Sequence, residues 1–250
     1  LFNRGFMTYS HRKDWFFSLF THYCSYKTRR GLDGLWVKGL EDTRSHLRNR
    51  PLILAPNHVA WWDTILLFPL SKALGGTAHA LMDAKSLRTL PFFGWGGALP
   101  LRKDTHSNAQ QDLLDAANVI QESNSYLWLF PQGKQRPSHL RPLKLKRGIQ
   151  TLAQHAAVDV VPVSFQYLYR EHAQPAASVS FGDPIPNTHP QLLRELESKL
   201  IEGLDDCDRL LQHPQAFTTL TPPKGIRSES GIGTRILSLF SRPQLGDGDA

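Results

Sequence analysis

Leu52-Ile53-Leu54-Ala55 is apolar at four consecutive positions. A strand with one wet face alternates apolar and polar residues, so an unbroken apolar run fits a strand covered on both faces. Val158 to Phe165 reads as a second strand of this kind. Further strands are expected at Leu35 to Lys38, Ala78 to Met82, Ala98 to Leu101, Tyr126 to Phe130 and Ser178 to Phe181. Between them lie helical patterns: Thr64 to Leu74, stopped by Gly75-Gly76; Asn108 to Glu122, with Leu113, Leu114, Ala117 and Ile120 on one face; Arg147 to His155; and Gln191 to Leu204. Strands alternating with helices predict a single α/β domain with a mostly parallel central sheet flanked by helices.

The chain's 250 residues are enough to bury a core without disulfide or metal support. Two distant cysteines, Cys24 and Cys207, exclude a disulfide framework and fit a reducing compartment. No apolar run reaches the roughly 18 to 20 residues of a membrane-spanning helix, and no signal peptide is expected. Residues 1–33 form an amphipathic segment, 34–217 the main domain, and 218–250 a weakly ordered tail rich in Pro, Gly, Ser and Thr. Within that tail Ile236, Leu237 and Phe240 can share one face as a docking segment. In the first segment Trp15, Phe16, Leu19, Phe20 and Tyr23 recur at helical spacing, bracketed by Arg12, Lys13, Lys27, Arg29 and Arg30. That pattern fits a helix packed on the domain and equally a helix lying in a membrane interface.

Four constellations carry chemistry. The first, Asn57-His58-Val59-Ala60-Trp61-Trp62-Asp63, follows the apolar strand. Strand ends opening into helices are where α/β proteins place reactive groups. His58 titrates near neutrality and suits a general base, and a carboxylate would fix its tautomer. On one ideal helix His58 and Asp63 would stand roughly 140° apart, so the pair requires His58 in the preceding turn and Asp63 in the first turns of the helix. The second, Gly94 to Arg102, breaks regular structure with glycines and ends in a guanidinium suited to phosphate or carboxylate. The third, Phe130-Pro131-Gln132-Gly133, ends a buried strand and leads into Lys134, Arg136, Arg141, Lys144, Lys146 and Arg147 without an acid. The fourth is Val161-Pro162-Val163, where proline marks an edge or a bulge.

In this order the blocks resemble the lysophospholipid acyltransferase family, the group related to bacterial 1-acylglycerol-3-phosphate acyltransferases. That family has NHxxxxD, a glycine-containing block ending in arginine, FPEG followed by Thr-Arg, and a late VPV-type strand. Lesser echoes are Val37 to Glu41 and Lys146-Arg147-Gly148. The resemblance spans roughly Gly34 to Pro186. It implies transfer of a fatty acyl group from a thioester, acyl-CoA or acyl carrier protein, to a hydroxyl of a lysophospholipid or related lipid, with no metal or redox cofactor. It makes His58 the base that removes the hydroxyl proton and Asp63 the group that orients it. Asn57, Arg102, Phe130, Pro131, Gln132, Gly133, Lys134 and Arg136 become substrate-binding candidates, with Arg102 on the acceptor's anionic group. The implied setting is peripheral, at the cytoplasmic face of a membrane, with membrane lipids as partners and the first helix and the loop near Lys144 facing the lipid.

Two departures stand out. The family's glutamate is Gln132, and its Thr-Arg falls on Lys134-Gln135, with Arg136 displaced by one position. Either Lys134 or Arg136 takes over the phosphate grip, or the acceptor lacks a phosphate, as a glycolipid or glycosylated terpenoid would. Trp61 and Trp62 either line an acyl or acceptor pocket beside the dyad or belong to the core, with the core expected for one of them. Rival classes are weaker. Eleven scattered histidines include no HExxH or close HxH set for a metallohydrolase. The +7 formal charge is unaccompanied by any helix-turn-helix, RNP or zinc-finger signature, so no nucleic-acid partner is expected. A non-catalytic lipid binder would have no need of His58 and Asp63.

Overall fold

The structure, a computed structural model, describes residues 12–121, 124–170 and 172–224. The proposed docking segment around Ile236 to Phe240 and most of the expected tail lie outside the described residues. The elements in chain order are α1 (Asp14–Gly31), β1 (Leu35–Lys38), α2 (Leu40–Asn49), β2 (Leu52–Pro56), α3 (Trp62–Leu74), β3 (Thr77–Asp83), the short α4 (Ala84–Thr89) and α5 (Phe92–Trp95), β4 (Ala98–Leu101), α6 (His106–Val119), β5 (Ser125–Trp128), α7 (Gly148–Ala156), β6 (Asp159–Tyr169), β7 (Pro175–Phe181), α8 (Leu192–Asp208) and β8 (Thr218–Thr221).

The strands form one sheet in the order β4-β3-β5-β2-β6-β7-β1-β8. Pairing is parallel except between β6 and β7 and between β1 and β8. The expected α/β domain with a mostly parallel sheet is what forms. The apolar run that predicted double burial lies in β2, near the middle of the sheet. Its pleat sends Leu52 and Leu54 into the core beneath α2 and α3, and Ile53 and Ala55 into the core beneath α6, α7 and α8. Tyr126 and Trp128 of β5 face the first core and Leu127 the second, by the same alternation. The helices complete both layers: Leu66 and Leu70 of α3 on one side, Leu152 of α7 and Leu196 and Leu200 of α8 on the other.

Three differences from the sequence reading have physical reasons. Helix α2 was passed over because its buried residues are only Leu40, Thr43 and Leu47, too few to show a periodic stripe. It starts at Gly39, whose φ of 74° and close approach to the Phe181 carbonyl leave no room for a side chain. The expected tail begins later than Thr218: Thr218–Thr221 pairs antiparallel with β1 and covers that edge of the sheet. Its β-branched threonines suit a strand, and the Pro- and Gly-rich residues beyond masked the signal. Pro162 lies neither at a sheet edge nor on an edge strand, since β6 runs between β2 and β7. The ladder to β7 begins at Val163, and Pro162 accepts a bond from Gly182 through its carbonyl. The missing N–H therefore falls in the gap between that ladder and the isolated Val160–Ile185 bridge, with the proline ring filling the space left by Gly182.

Because Leu54 is fully enclosed between β5 and β6, Leu54→Ala is expected to cost roughly 2–5 kcal/mol. A urea titration reads this as a lower midpoint at unchanged slope.

Candidate active site

β2 delivers His58 at its carboxyl end, in the turn before α3, and Asp63 is the second residue of that helix. This is the one placement that lets the two side chains meet, and they do. His58 Nδ1 lies 2.7 Å from Asp63 Oδ2. The same oxygen accepts from the backbone N–H groups of Val59 at 2.6 Å and Ala60 at 3.0 Å. Asp63 Oδ1 accepts from the Tyr167 hydroxyl at 2.7 Å. Asp63 is 0% exposed, and four donors compensate for its removal from water. Burial, and next the Asp63 charge, push the Tyr167 hydroxyl well above its ordinary pKa, so it remains a donor at any working pH. With Nδ1 engaged, Nε2 is the imidazole nitrogen left to serve the cleft that His58 lines.

The main chain of His58 is gripped from two sides. Its N–H donates to Gln132 Oε1 at 2.6 Å, and its carbonyl accepts from the Arg136 backbone N–H at 2.8 Å. Gln132 Nε2 in turn donates to the Leu143 carbonyl at 3.0 Å. Asn57 clamps β6, accepting from Phe165 N–H at 2.6 Å and donating to Phe165 C=O at 3.1 Å. Asn57 and Gln132 are buried with both ends of their amides on backbone. They were expected to touch substrate; they instead hold the turn that carries His58. Arg136 contributes its backbone, and its guanidinium lies beside the Pro142 carbonyl.

Arg102 also differs from expectation. Its Nε and Nη2 fork onto the buried carboxylate of Asp112 in α6, the shortest distance being 2.6 Å. The cleft wall passes through its neighbours Leu101 and Lys103. Of the remaining candidates, Phe130, Pro131, Gly133 and Lys134 line the cleft, and the Phe130 ring lies 4.3 Å from the imidazole. Gly133, at φ 68°, lets the Lys146 ammonium come within 2.9 Å of where a Cβ would stand. Trp61 is 57% exposed and lines the cleft, whereas Trp62 packs so closely on Gly31 that a Cβ there would meet its ring. The core was expected for one of the two.

The cleft encloses about 920 Å³. Its lining is apolar at Leu67, Phe68, Ala78 and Trp128 and carries the cations Lys103, Lys134, Lys146 and Arg147 together with the carboxylates of Asp83 and Asp104. His79 in its wall is held neutral, its pKa lowered to about 4 by burial and then by Arg12. Among the described residues no cluster of three His, Cys, Asp or Glu side chains could hold a metal. Sequence reasoning missed Tyr167, although a signal existed. Val161, Val163 and Phe165 alternate toward one core, and Tyr167 continues that alternation.

Two variants test this architecture. Gln132→Glu keeps an acceptor for His58 N–H but sets a carboxylate oxygen against the Leu143 carbonyl. Burial beside that oxygen raises the new carboxyl's pKa above its unfolded value near 4.3. The protonated form can still donate, so the loss of thermal stability relative to wild type should be small near pH 4 and full at pH 7. A deficit independent of pH would contradict the assigned bond. Tyr167→Phe removes one donor from a buried carboxylate. It should lower kcat roughly tenfold, the order expected for a hydrogen bond to a charged group, with little change in KM.

Comparison with known proteins finds similarity to acyltransferases. The chain is 30% identical over 145 residues to a 1-acyl-sn-glycerol-3-phosphate acyltransferase of Saccharomyces cerevisiae, a match covering 56% of this chain and 46% of that protein. It is 27% identical over 183 residues to an uncharacterized acyltransferase of Schizosaccharomyces pombe, covering 64% of this chain and 63% of that one. The chain thus spans about half to two thirds of the length of these relatives. The fold matches the crystal structure of the 1-acyl-sn-glycerophosphate acyltransferase PlsC of Thermotoga maritima with a TM-score of 0.59 at 14% identity, over 77% of this chain and 79% of that one. The Acyltransferase family model matches residues 35–166, more than half of the chain and the span that holds the His58–Asp63 pair, so the protein belongs to the Acyltransferase family.

Proposed function

We propose that the protein transfers a fatty acyl group from an acyl thioester to a hydroxyl of a lysophospholipid-type acceptor. The observation that carries this reading is the His58–Asp63 pair, with His58 in the wall of a cleft lined by apolar and cationic side chains. His58 Nε2 takes the acceptor's hydroxyl proton as the oxygen attacks the thioester carbonyl carbon. Asp63, fixed by Tyr167 and two backbone N–H groups, holds the ring and stabilises the imidazolium. The tetrahedral intermediate then collapses, the C–S bond breaks, and the departing thiolate takes the proton from the imidazolium. Ester and free thiol are the products. The chemistry calls for neither metal nor redox cofactor, and the donor is acyl-CoA or acyl carrier protein.

The apolar lining of the cleft suits the acyl chain. Lys103, Lys134, Lys146 and Arg147 suit the anionic portion of donor or acceptor. They favour an anionic lipid acceptor over a neutral glycolipid. Gln132 does not weigh against phosphate, because its amide serves the backbone.

The reaction is assigned to the cytoplasmic face of a membrane with the protein bound peripherally. Trp15, Tyr23 and Tyr26 stand exposed on α1 near Lys27, Arg29 and Arg30, a pairing of aromatics and cations suited to an anionic headgroup layer. No helix among the described residues is long and apolar enough to cross a membrane.

Free-thiol release from acyl-CoA and from acylated carrier protein, measured with lysophospholipid and glycolipid acceptors, tests the reading. Acceptor-dependent release is expected with the lysophospholipid, falling by at least roughly a hundredfold in His58→Ala, the scale of general-base catalysis. Release that survives His58→Ala would remove the histidine from the mechanism. Wild type inert toward every acceptor would remove the reaction.

A further inference from the structure

We infer that a second apolar groove, between α1 and the α4–α5 corner, binds the alkyl tail of the lipid acceptor while the catalytic cleft binds the acyl thioester. The inference rests on the proposed acyl transfer.

The groove has a volume of about 790 Å³, within the roughly 300–1,000 Å³ typical of ligand pockets. Its floor on α1 is the stripe Phe16, Leu19, Phe20 and Tyr23, at the three- and four-residue steps of one helix face. The fold consumes only half of this stripe, where Phe16 packs on Phe92 and Phe20 on Phe68 and Phe93. α1 buries Thr21, Cys24 and Thr28 and packs Phe17 against the core, while Leu19 stays 63% exposed and Tyr23 48%. An apolar trough of this kind is unfavourable in water and calls for an apolar occupant.

Continuity with the cleft identifies the occupant. Trp61, Thr64, Leu90 and Phe93 line both cavities, so these four side chains form the partition between them. Trp61 lies three residues beyond His58, and Thr64 directly follows Asp63. A chain lying in the groove and crossing this partition brings its head group to the imidazole. The groove's lining contains no lysine, arginine or carboxylate, and its one titratable imidazole, His22, is bonded to the Ser18 carbonyl at 2.8 Å. An uncharged trough fits the hydrocarbon alone, with the charged head beyond the partition, near Lys134 and Lys146. The cleft supplies cations for the donor's charged handle, and the lining of the groove has none.

The test uses water-soluble acceptors with tails from about 4 to 10 carbons, below their micelle concentrations and without vesicles, at fixed acyl-CoA. Each methylene removed from water is worth up to roughly fourfold in affinity. For wild type kcat/KM should rise about two- to fourfold per methylene until the groove is full. Leu19→Asp, an exposed position where folding is not at stake, should flatten that rise while leaving the shortest acceptor and the dependence on donor chain length unchanged. Phe92→Ser, on the opposite wall, should do the same. Unchanged acceptor slopes in both variants, with normal transfer, would overturn the groove assignment alone. So would a flattened donor slope instead. An equal loss for every acceptor would also overturn it and assign the stripe to fold or membrane contact. Absence of transfer by wild type with any acceptor would overturn the acyltransferase reading, and the groove assignment with it.

Discussion

Burying the carboxylate of Asp63 is the demand around which this site is organised. An ionised group at zero exposure is tolerated only where donors replace the water it has lost. Here two donors are the backbone N–H groups of the turn before α3, one is the His58 ring and one is the Tyr167 hydroxyl. The backbone pair ties Asp63 back to the turn that precedes its helix. The same contacts that fold the turn therefore aim the imidazole. Tyr167 brings in β6, so the geometry of the pair is tied to the central sheet and not only to a local loop.

The turn is held at its other atoms by amides. Asn57 is fastened to Phe165 and Gln132 to both His58 and Leu143. Three of the four sequence blocks thus converge on a few residues of backbone, which gives a physical account of why they occur together. The Gly94 to Arg102 block is different. Its arginine pairs with Asp112 and fixes β4 against α6, between the cleft-lining residues Leu101 and Lys103. The two departures from the family pattern also become intelligible. A glutamine at position 132 can accept from His58 N–H and donate to Leu143 C=O at once, which an ionised glutamate cannot. Lys134, which stands where the family has threonine, still places a cation on the cleft wall.

Much of the fold was legible because burial on both faces leaves a strong mark. The apolar run in β2 has no polar alternation to confuse, and the Gly75-Gly76 stop after α3 has a backbone cause. The His58–Asp63 pair was legible as a condition: contact is possible only across a helix start. Other elements left no such mark. α2 and β8 are polar segments held by what they pack against, so their structure is decided by tertiary partners. The roles of Asn57 and Gln132 were misread for a related reason. A polar residue in a motif looks like a ligand contact, whereas its true partner is a main-chain group 108 residues away in one case and 11 in the other. No side-chain pattern announces a backbone acceptor.

The aromatic helix at the start of the domain left two readings open, packed or lipid-facing, and the structure shows that it has one packed side and one exposed side. Thr21, Cys24 and Thr28 turn toward the domain, and Trp15, Leu19, Tyr23 and Tyr26 turn away from it. A small-residue inner face lets α1 approach α3 closely, to the point that Gly31 meets Trp62 with no space for a Cβ. That approach leaves Trp61 next door free to stand between cleft and groove. Close packing at one tryptophan is thus what exposes the other, and it places an adjustable aromatic side chain three residues from the proposed base.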